Sequence, residues 1–318
     1  MKVAQIGYGR WGRNLYRALT NISEIKQVMI CDPYIDLDED EFNLITFNEI
    51  LNDETIKGVV IATPAETHFD YVTQLIQANK NIFCEKPLCF SSEEVLIIEK
   101  LINEHKTVLI VGHTFLFNDS IEFIKKYIQK NNLNFKTISG KYCSYGTNIK
   151  DIDVLWDFGP HVISIVNYIL GSSPTFCTLN PMSYRDDGKL ESCYIYLEYD
   201  KPKTKAVFEL SWLNIDKKRE VEFNNYKTLL RWNDLEVKRP VQIYEKEFNK
   251  ENRDGVFEHF HILENKITVP SFVAKEPLVN ELKYFIDCLE NREYKNLKSG
   301  LEFSNEIIKN LEKLSKQY

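Results

Sequence analysis

No run of apolar residues in this 318-residue chain approaches the roughly 18 needed to cross a bilayer, and charges interrupt every long candidate, so a membrane span is not expected. The start, Met1-Lys2-Val3-Ala4-Gln5-Ile6-Gly7, is read as no signal peptide, because its apolar stretch is short and runs straight into a glycine-rich turn. The seven cysteines are odd in number and scattered, and the one close pair, Cys84 and Cys89, lacks zinc-ligand spacing and has no second pair to complete a site. They read as reduced thiols packed as small hydrophobes in a cytoplasmic protein, and no metal is expected. Positive charge is not in excess. Residues 1–118 carry 10 Lys and Arg against 17 Asp and Glu, and residues 119–318 carry 30 of each, for a net charge of −7. Without a basic stripe to neutralise a run of phosphates, a nucleic-acid partner is disfavoured. The hydrolase and kinase-type signatures Gly-x-Ser-x-Gly, His-Glu-x-x-His and the phosphate-loop lysine are missing, as are internal repeats and low-complexity segments.

What is present is an ordinary globular composition at a length that favours two domains. Up to residue 118, short apolar runs (Val3–Ile6, Gln27–Cys31, Gly58–Ala62, Asn81–Cys84, Thr107–Val111) alternate with helical patterns (Trp11–Leu19, Phe47–Leu51, His68–Ala78, Ser91–His105). The runs lack polar alternation, as expected for strands buried on both faces of a parallel sheet. Ser91 and Glu94 have capping-box spacing. From 119 onward the pattern changes. Helices are expected at Ser120–Gln129 and Pro160–Leu170. Strands are expected at Phe135–Gly146, Thr175–Tyr184, Glu191–Tyr199, Thr204–Trp212, Arg219–Phe223, Lys227–Trp232 and Leu235–Lys238, and a helical tail at Pro277–Glu290 and Gly300–Leu314. The expected fold class is α/β: an N-terminal Rossmann domain (1–118) followed by an α+β domain (119–318) with one large open, mostly antiparallel sheet. Along Glu191–Tyr199 both faces lean apolar, with Cys193, Ile195 and Leu197 on one and Tyr194, Tyr196 and Glu198 on the other. Burial on both sides of this strand implies a homodimer or homotetramer built through the sheet.

Gly7-Tyr8-Gly9-Arg10-Trp11-Gly12 is a G-x-G-x-x-G that follows a strand and opens a helix, the context in which this spacing binds a dinucleotide pyrophosphate. The helix N-terminus offers free N–H groups and a partial positive charge to the phosphates. Asp32 stands 20 residues after Gly12 at the end of the second strand, where an acid accepts ribose hydroxyls. From Asp32 to Thr46 there are six acids, Asp32 included, and no Lys or Arg, so a 2′-phosphate would meet repulsion and NAD is favoured over NADP.

Thr63-Pro64 with His68 follows the third long strand, and Glu85-Lys86-Pro87 the fourth. Both sit at the carboxyl ends of parallel strands, where such sheets bind ligands. His113 ends the fifth strand at the same rim and is a candidate pocket residue. Lys86, between a buried strand and a proline, is a candidate for proton transfer if desolvated. Farther on, Pro160 suits the first turn of a helix, and a first turn reaching back to Asp157 puts Asp157 and His161 on one face at i, i+4. A carboxylate and an imidazole so placed can take up a hydroxyl proton or orient the group that does; the alternative is a capping Asp beside a packed His.

Taken in order, the N-terminal fingerprint, Ala62-Thr63-Pro64 with His68, Glu85-Lys86-Pro87, Gly112-His113-Thr114-Phe115, Asp157-x-x-x-His161 and Glu276-Pro277-Leu278 resemble the Gfo/Idh/MocA oxidoreductase family over nearly the whole chain. The resemblance implies reversible oxidation of a sugar or cyclitol hydroxyl with NAD or NADP. It also implies a catalytic Lys86–Asp157–His161 set and cofactor contacts from Gly7, Gly9, Arg10, Trp11, Gly12, Asp32, Thr63, Pro64, His68, Glu85 and Lys86. Within the family, Leu155–Ile165 and Gly112–Asn118 look most like the 3-dehydrogenases of UDP-N-acetylated sugars, although Val162 stands where those relatives commonly carry Asp. The expected substrate is therefore a nucleotide sugar of the UDP-N-acetylglucosamine type, held between the domains with Lys86 and His161 reaching it from opposite sides, in surface-polysaccharide biosynthesis. His161 is the favoured base and Lys86 the alkoxide-stabilising cation, with the reverse order open. The alternatives are an inositol or free-aldose dehydrogenase, a nucleotide-ketosugar reductase, or a non-catalytic sugar-sensing regulator.

Overall fold

The computed structural model describes residues 1–34, 41–145, 152–253, 257–272, 275–291 and 293–318, with backbone alone over 248–253 and 257–264. The chain forms two compact units. The first comprises Met1–Asn118, Ile149–Ile165 and Lys275–Lys316, and the second Asp119–Asn148, Val166–Ala274 and Gln317–Tyr318.

In the first unit, β1 (Lys2–Ile6), β2 (Gln27–Cys31), β3 (Asn43–Leu44), β4 (Ile56–Ile61), β5 (Asn81–Cys84) and β6 (Leu109–Val111) form a sheet in the order β3-β2-β1-β4-β5-β6. Every pairing in it is parallel. Crossovers run through α1 (Arg10–Thr20), α2 (Phe47–Asn52), α3 (His68–Gln77) and α4 (Ser92–His105). The strand order reverses direction at β1 and β4, the switch point where open parallel sheets take their ligands. Successive residues of β1 serve opposite faces, as a pleated strand requires. Ala4 and Ile6 pack with Val72, Leu75 and Ile98, whereas Val3 packs with Leu15, Leu19 and Phe83. Capping boxes at Thr46/Glu49 and Ser91/Glu94 start α2 and α4, the second as its spacing predicts.

The second unit opens with α5 (Asp119–Lys130) and β7 (Thr137–Tyr145). Next comes α6 (Val154–Leu170), of which residues 166–170 belong here. Strands β8 (Phe176–Tyr184), β9 (Leu190–Asp200), β10 (Lys203–Ser211), β11 (Leu213–Asn224), β12 (Thr228–Asn233), β13 (Val241–Arg253) and β14 (Phe257–Thr268) complete a sheet ordered β14-β13-β12-β11-β7-β10-β9-β8. It is antiparallel apart from β7 with β10. The Trp232 indole N–H donates to Ser120 Oγ at 2.7 Å and the Tyr199 hydroxyl to Asn167 Oδ1 at 2.9 Å, so helices cover the face carrying these rings. Two C-terminal helices, α7 (Pro277–Asn291) and α8 (Leu301–Ser315), return to the first unit.

Three expectations change. The contiguous division 1–118 and 119–318 gives way to a discontinuous one, because the apolar faces of α7 and α8 complete the Rossmann core: Leu282 and Phe285 on one face of the sheet, Ile308 on the other. Pro160 lies inside α6, not in its first turn. The helix starts at Val154 because Asp153 caps it, accepting the Trp156 N–H at 3.1 Å. Leu235–Lys238 is a turn: the Asn233 side chain accepts the Leu235 N–H at 2.9 Å and reverses the chain into β13.

Candidate active site

The glycine turn leaves β1 with Gly7 at φ +92°, a left-handed conformation that L side chains rarely adopt, and a Cβ there would lie 2.6 Å from the Ala62 carbonyl oxygen. Gly12 is as confined, since its Cβ would stand 2.3 Å from the Gly7 oxygen. Gly9 differs: nothing lies within 4 Å of the position its Cβ would take. It is also the N-cap residue of α1 and has no side chain to cap the helix, so the first-turn N–H groups lack a side-chain cap. Asp32 accepts the Tyr8 N–H on Oδ2 at 2.7 Å and the Tyr34 N–H on Oδ1 at 3.0 Å. Its orientation is thus fixed while each oxygen keeps a lone pair for a hydroxyl. Open space at Gly9, an uncapped helix start and a pre-oriented carboxylate fit a dinucleotide, with Gly7–Gly12 at its pyrophosphate and Asp32 at its adenosine ribose. Of the six acids after the second strand, Asp36, Asp38, Glu39 and Asp40 lie outside the described residues.

A second cluster forms where Lys86, after the end of β5, meets the start of α6. Lys86 Nζ donates to the Asp157 carboxylate and to the Asp157 main-chain carbonyl, each at 2.9 Å. The side chains are only 15% and 8% exposed, so the ion pair is largely withdrawn from water. Asp157 occupies the first turn of α6, and His161 follows one turn later. The half-buried His161 ring meets the Phe115 ring edge-on, with centroids 5.3 Å apart. Lys86, Asp157 and His161 all belong to the first unit, which corrects the expectation that lysine and histidine come from opposite domains.

Three of the expected pocket residues are turned inward. His68 is 1% exposed, and its Nδ1 and Nε2 lie 2.7 and 3.0 Å from the carbonyl oxygens of Pro87 and Thr63. It braces the two turns that carry Thr63 and Lys86 and does not present its ring to a ligand. Burial, reinforced by the Lys86 charge, holds its pKa below the ordinary imidazole value, while the two carbonyls oppose that shift. Glu85 is likewise buried and takes the indole N–H of the half-exposed Trp11, tying the glycine turn to the strand end that carries Lys86. Desolvation raises the Glu85 pKa, and the Trp11 bond and Lys86 charge oppose the shift. His113 sits behind this layer with Nε2 at 3.2 Å from Ser304 Oγ; burial and then the Lys86 charge push its pKa down to about 3. Thr63 is half-buried, and Pro64 and Arg10 are exposed at the rim.

Two further residues escape a motif-based reading. Gln5 is fully buried in β1, two residues before the glycine turn. Glu281 is fully buried in α7 and accepts the Thr114 hydroxyl at 2.8 Å. Burial and the neighbouring Glu85 charge push its pKa well above the usual carboxylate value. A polar residue in an otherwise apolar strand or helix face is the signal that marks both.

Residues 1–113 match the model of the oxidoreductase family with an NAD-binding Rossmann fold, Gfo/Idh/MocA. Over 222 residues it is 25% identical to the scyllo-inositol 2-dehydrogenase (NADP(+)) of Bacillus subtilis, a match covering 65% of this chain and 62% of that protein. The chain thus spans under two thirds of the length of the curated relative. The UDP-N-acetylglucosamine 3-dehydrogenase of Acidithiobacillus ferrooxidans has a similar fold, with a TM-score of 0.83, 16% identity and coverage of 100% of this chain and 97% of that one. So does the 3-ketoreductase of Actinomadura kijaniata in complex with TDP-benzene and NADP, with a TM-score of 0.82, 15% identity and coverage of 100% and 97%.

Proposed function

We propose that the chain is an NAD-dependent dehydrogenase that oxidises the 3-hydroxyl of a nucleotide-linked N-acetylated amino sugar, of the UDP-N-acetylglucosamine type, to the 3-keto sugar. The observation that carries it is the withdrawn Lys86–Asp157 pair one helical turn from His161. Oxidising a secondary alcohol removes a hydride and the hydroxyl proton. The bound dinucleotide supplies the hydride acceptor. The proton falls to the protein, and a base must lie within hydrogen-bond reach of it. A lysine ammonium engaged by a carboxylate has no lone pair to offer, so Lys86 is the cation that steadies the developing alkoxide and Asp157 the residue that aims it. His161, the imidazole one helical turn beyond Asp157, is the base that takes the hydroxyl proton.

The dinucleotide is NAD, because Asp32 would repel a 2′-phosphate. The nucleotide-sugar assignment is supported by the Leu155–Ile165 motif. A second reading, oxidation of an inositol, is favoured by the similarity to the Bacillus inositol dehydrogenase. The exposed face of the second sheet carries Phe176 and Tyr196, both large and apolar, and a second copy of the chain would cover them in a homodimer or homotetramer. Reduction of NAD and NADP followed at 340 nm with UDP-N-acetylglucosamine, UDP-N-acetylgalactosamine, myo- and scyllo-inositol and glucose tests the proposal. Turnover confined to the inositols replaces the nucleotide-sugar reading with the second one, and turnover with none of these sugars in either direction refutes both.

A further inference from the structure

Gln5 occupies the central strand of the parallel sheet, on the side where Val3 packs among Leu15, Leu19 and Val60. An apolar side chain would suit that place. The carboxamide instead has its Oε1 buried without a hydrogen-bond partner among the described residues, a cost to stability that asks for a compensating role. Its Nε2 lies 2.8 Å from the Gly7 carbonyl oxygen and 2.8 Å from the Gly12 carbonyl oxygen. Both partners are acceptors, which fixes this atom as the amide nitrogen. The two N–H bonds therefore hold the first and third glycines of the turn at one point.

The first bond reaches further. The carbonyl of Gly7 and the N–H of Tyr8 belong to one planar peptide and point in opposite directions. The carbonyl end is held by Gln5 and the N–H end by Asp32 Oδ2 at 2.7 Å. That peptide is suspended between the two side chains. Beside these two held carbonyls the turn keeps open space at Gly9, where nothing lies within 4 Å of the position a Cβ would take.

We infer that Gln5 is a positioning residue for the dinucleotide: its carboxamide clamps the Gly7 and Gly12 carbonyls and so sets both the phosphate turn and the Asp32 carboxylate. This rests on the dinucleotide-binding fold and is independent of which sugar is oxidised. Gln5→Glu keeps the shape but leaves at most one donor, the O–H of the neutral acid, for two carbonyls; Gln5→Met removes the polar atoms. Binding of NADH and NADPH is read by quenching of tryptophan fluorescence, well below the melting temperature of each variant. Loss of one or both neutral hydrogen bonds predicts dissociation constants raised about tenfold or more for the preferred dinucleotide in both variants. A merely structural role would lower the melting temperature and leave the affinity of the folded protein alone. Affinity within about twofold of the parent in either folded variant overturns the inference. If neither variant folds, the Gln5 side-chain amide of the parent protein decides: both Nε2 protons bonded and buried predicts slow exchange with solvent by NMR, and fast exchange overturns the assignment.

Discussion

Replacing Lys86 by Met tests the ion pair at the centre of the candidate site. The substitution keeps the aliphatic bulk and removes the ammonium, leaving the 8%-exposed Asp157 carboxylate without its cation. At 2.9 Å and an effective dielectric of about 20, the attraction lost is on the order of 5–6 kcal/mol before desolvation is counted. Breaking one side of such a buried pair costs about 3–5 kcal/mol, whereas removing both partners costs far less. Lys86→Met should therefore move the urea midpoint down by about 1–2 M at a slope of roughly 2–3 kcal/mol/M. Adding Asp157→Asn should restore much of that loss, giving a coupling of about 1–3 kcal/mol in a double-mutant cycle. In the same variant, turnover should fall by ~10²-fold or more while NADH affinity, set mainly at the glycine turn and Asp32, changes little. Single and double variants whose stability losses simply add would show that the two groups do not interact as the geometry requires. Normal turnover in Lys86→Met would remove the lysine from the chemistry.

His161→Ala should reduce turnover to a similar extent and abolish the limb of the pH–rate profile that reports the base; an unchanged profile would pass that role to Lys86. Asp32→Ala should weaken NAD by about tenfold or more, one to two charge-assisted bonds at about 1.5–3 kcal/mol each, and narrow its preference over NADP, as titration of both dinucleotides will show. Light scattering should find a dimer or tetramer at micromolar concentration, and Tyr196→Glu, which places a charge on the exposed sheet face, should shift it toward monomer. Glu281 has its folded-state pKa raised by burial and by Glu85, so the folded chain keeps a proton that the unfolded chain releases. Its contribution to stability is complete below the unfolded value near pH 4.3 and is lost as pH rises toward the folded one. Glu281→Gln should therefore gain in melting temperature relative to the parent between pH 5 and pH 8, and a pH-independent difference between the two would count against that sign.

The Rossmann half is legible because its signals are local. Uninterrupted runs such as Gly58–Ala62 and Asn81–Cys84 declare strands buried on both faces, and Ser91 with Glu94 declares the start of α4. Glycine spacing after β1 adds the ligand end of the sheet. The discontinuous make-up of the first unit has no local signature. That Phe285 packs against Phe83, with ring centroids 6.1 Å apart and the residues some two hundred positions apart in the chain, is a property of two apolar faces finding each other, and nothing in either segment names its partner.

The same limit explains which site residues the chain reveals and which it disguises. Proximity to a strand end puts a residue at the rim but does not say which way its side chain turns. Lys86 and Glu85 are adjacent in sequence, yet one meets Asp157 of α6 and the other is drawn inward to the Trp11 indole. His68 looks like a ligand for the same reason, and its ring is spent on the Thr63 and Pro87 carbonyls. The Pro160 reading fails through a related ambiguity. Proline favours a first helical turn because its missing N–H costs nothing there, but Asp153 supplies a stronger start seven residues earlier, and the packing of α6 carries the helix through the proline. Gln5 gives the converse case. A carboxamide is out of place between Ala4 and Ile6, beside Ile30 and Val60 of the neighbouring strands, and a polar residue inside an apolar run is visible in the sequence. What the strand pattern cannot supply is the convergence of two glycine carbonyls on one nitrogen, which turns an unexplained polar residue into the clamp of the dinucleotide turn.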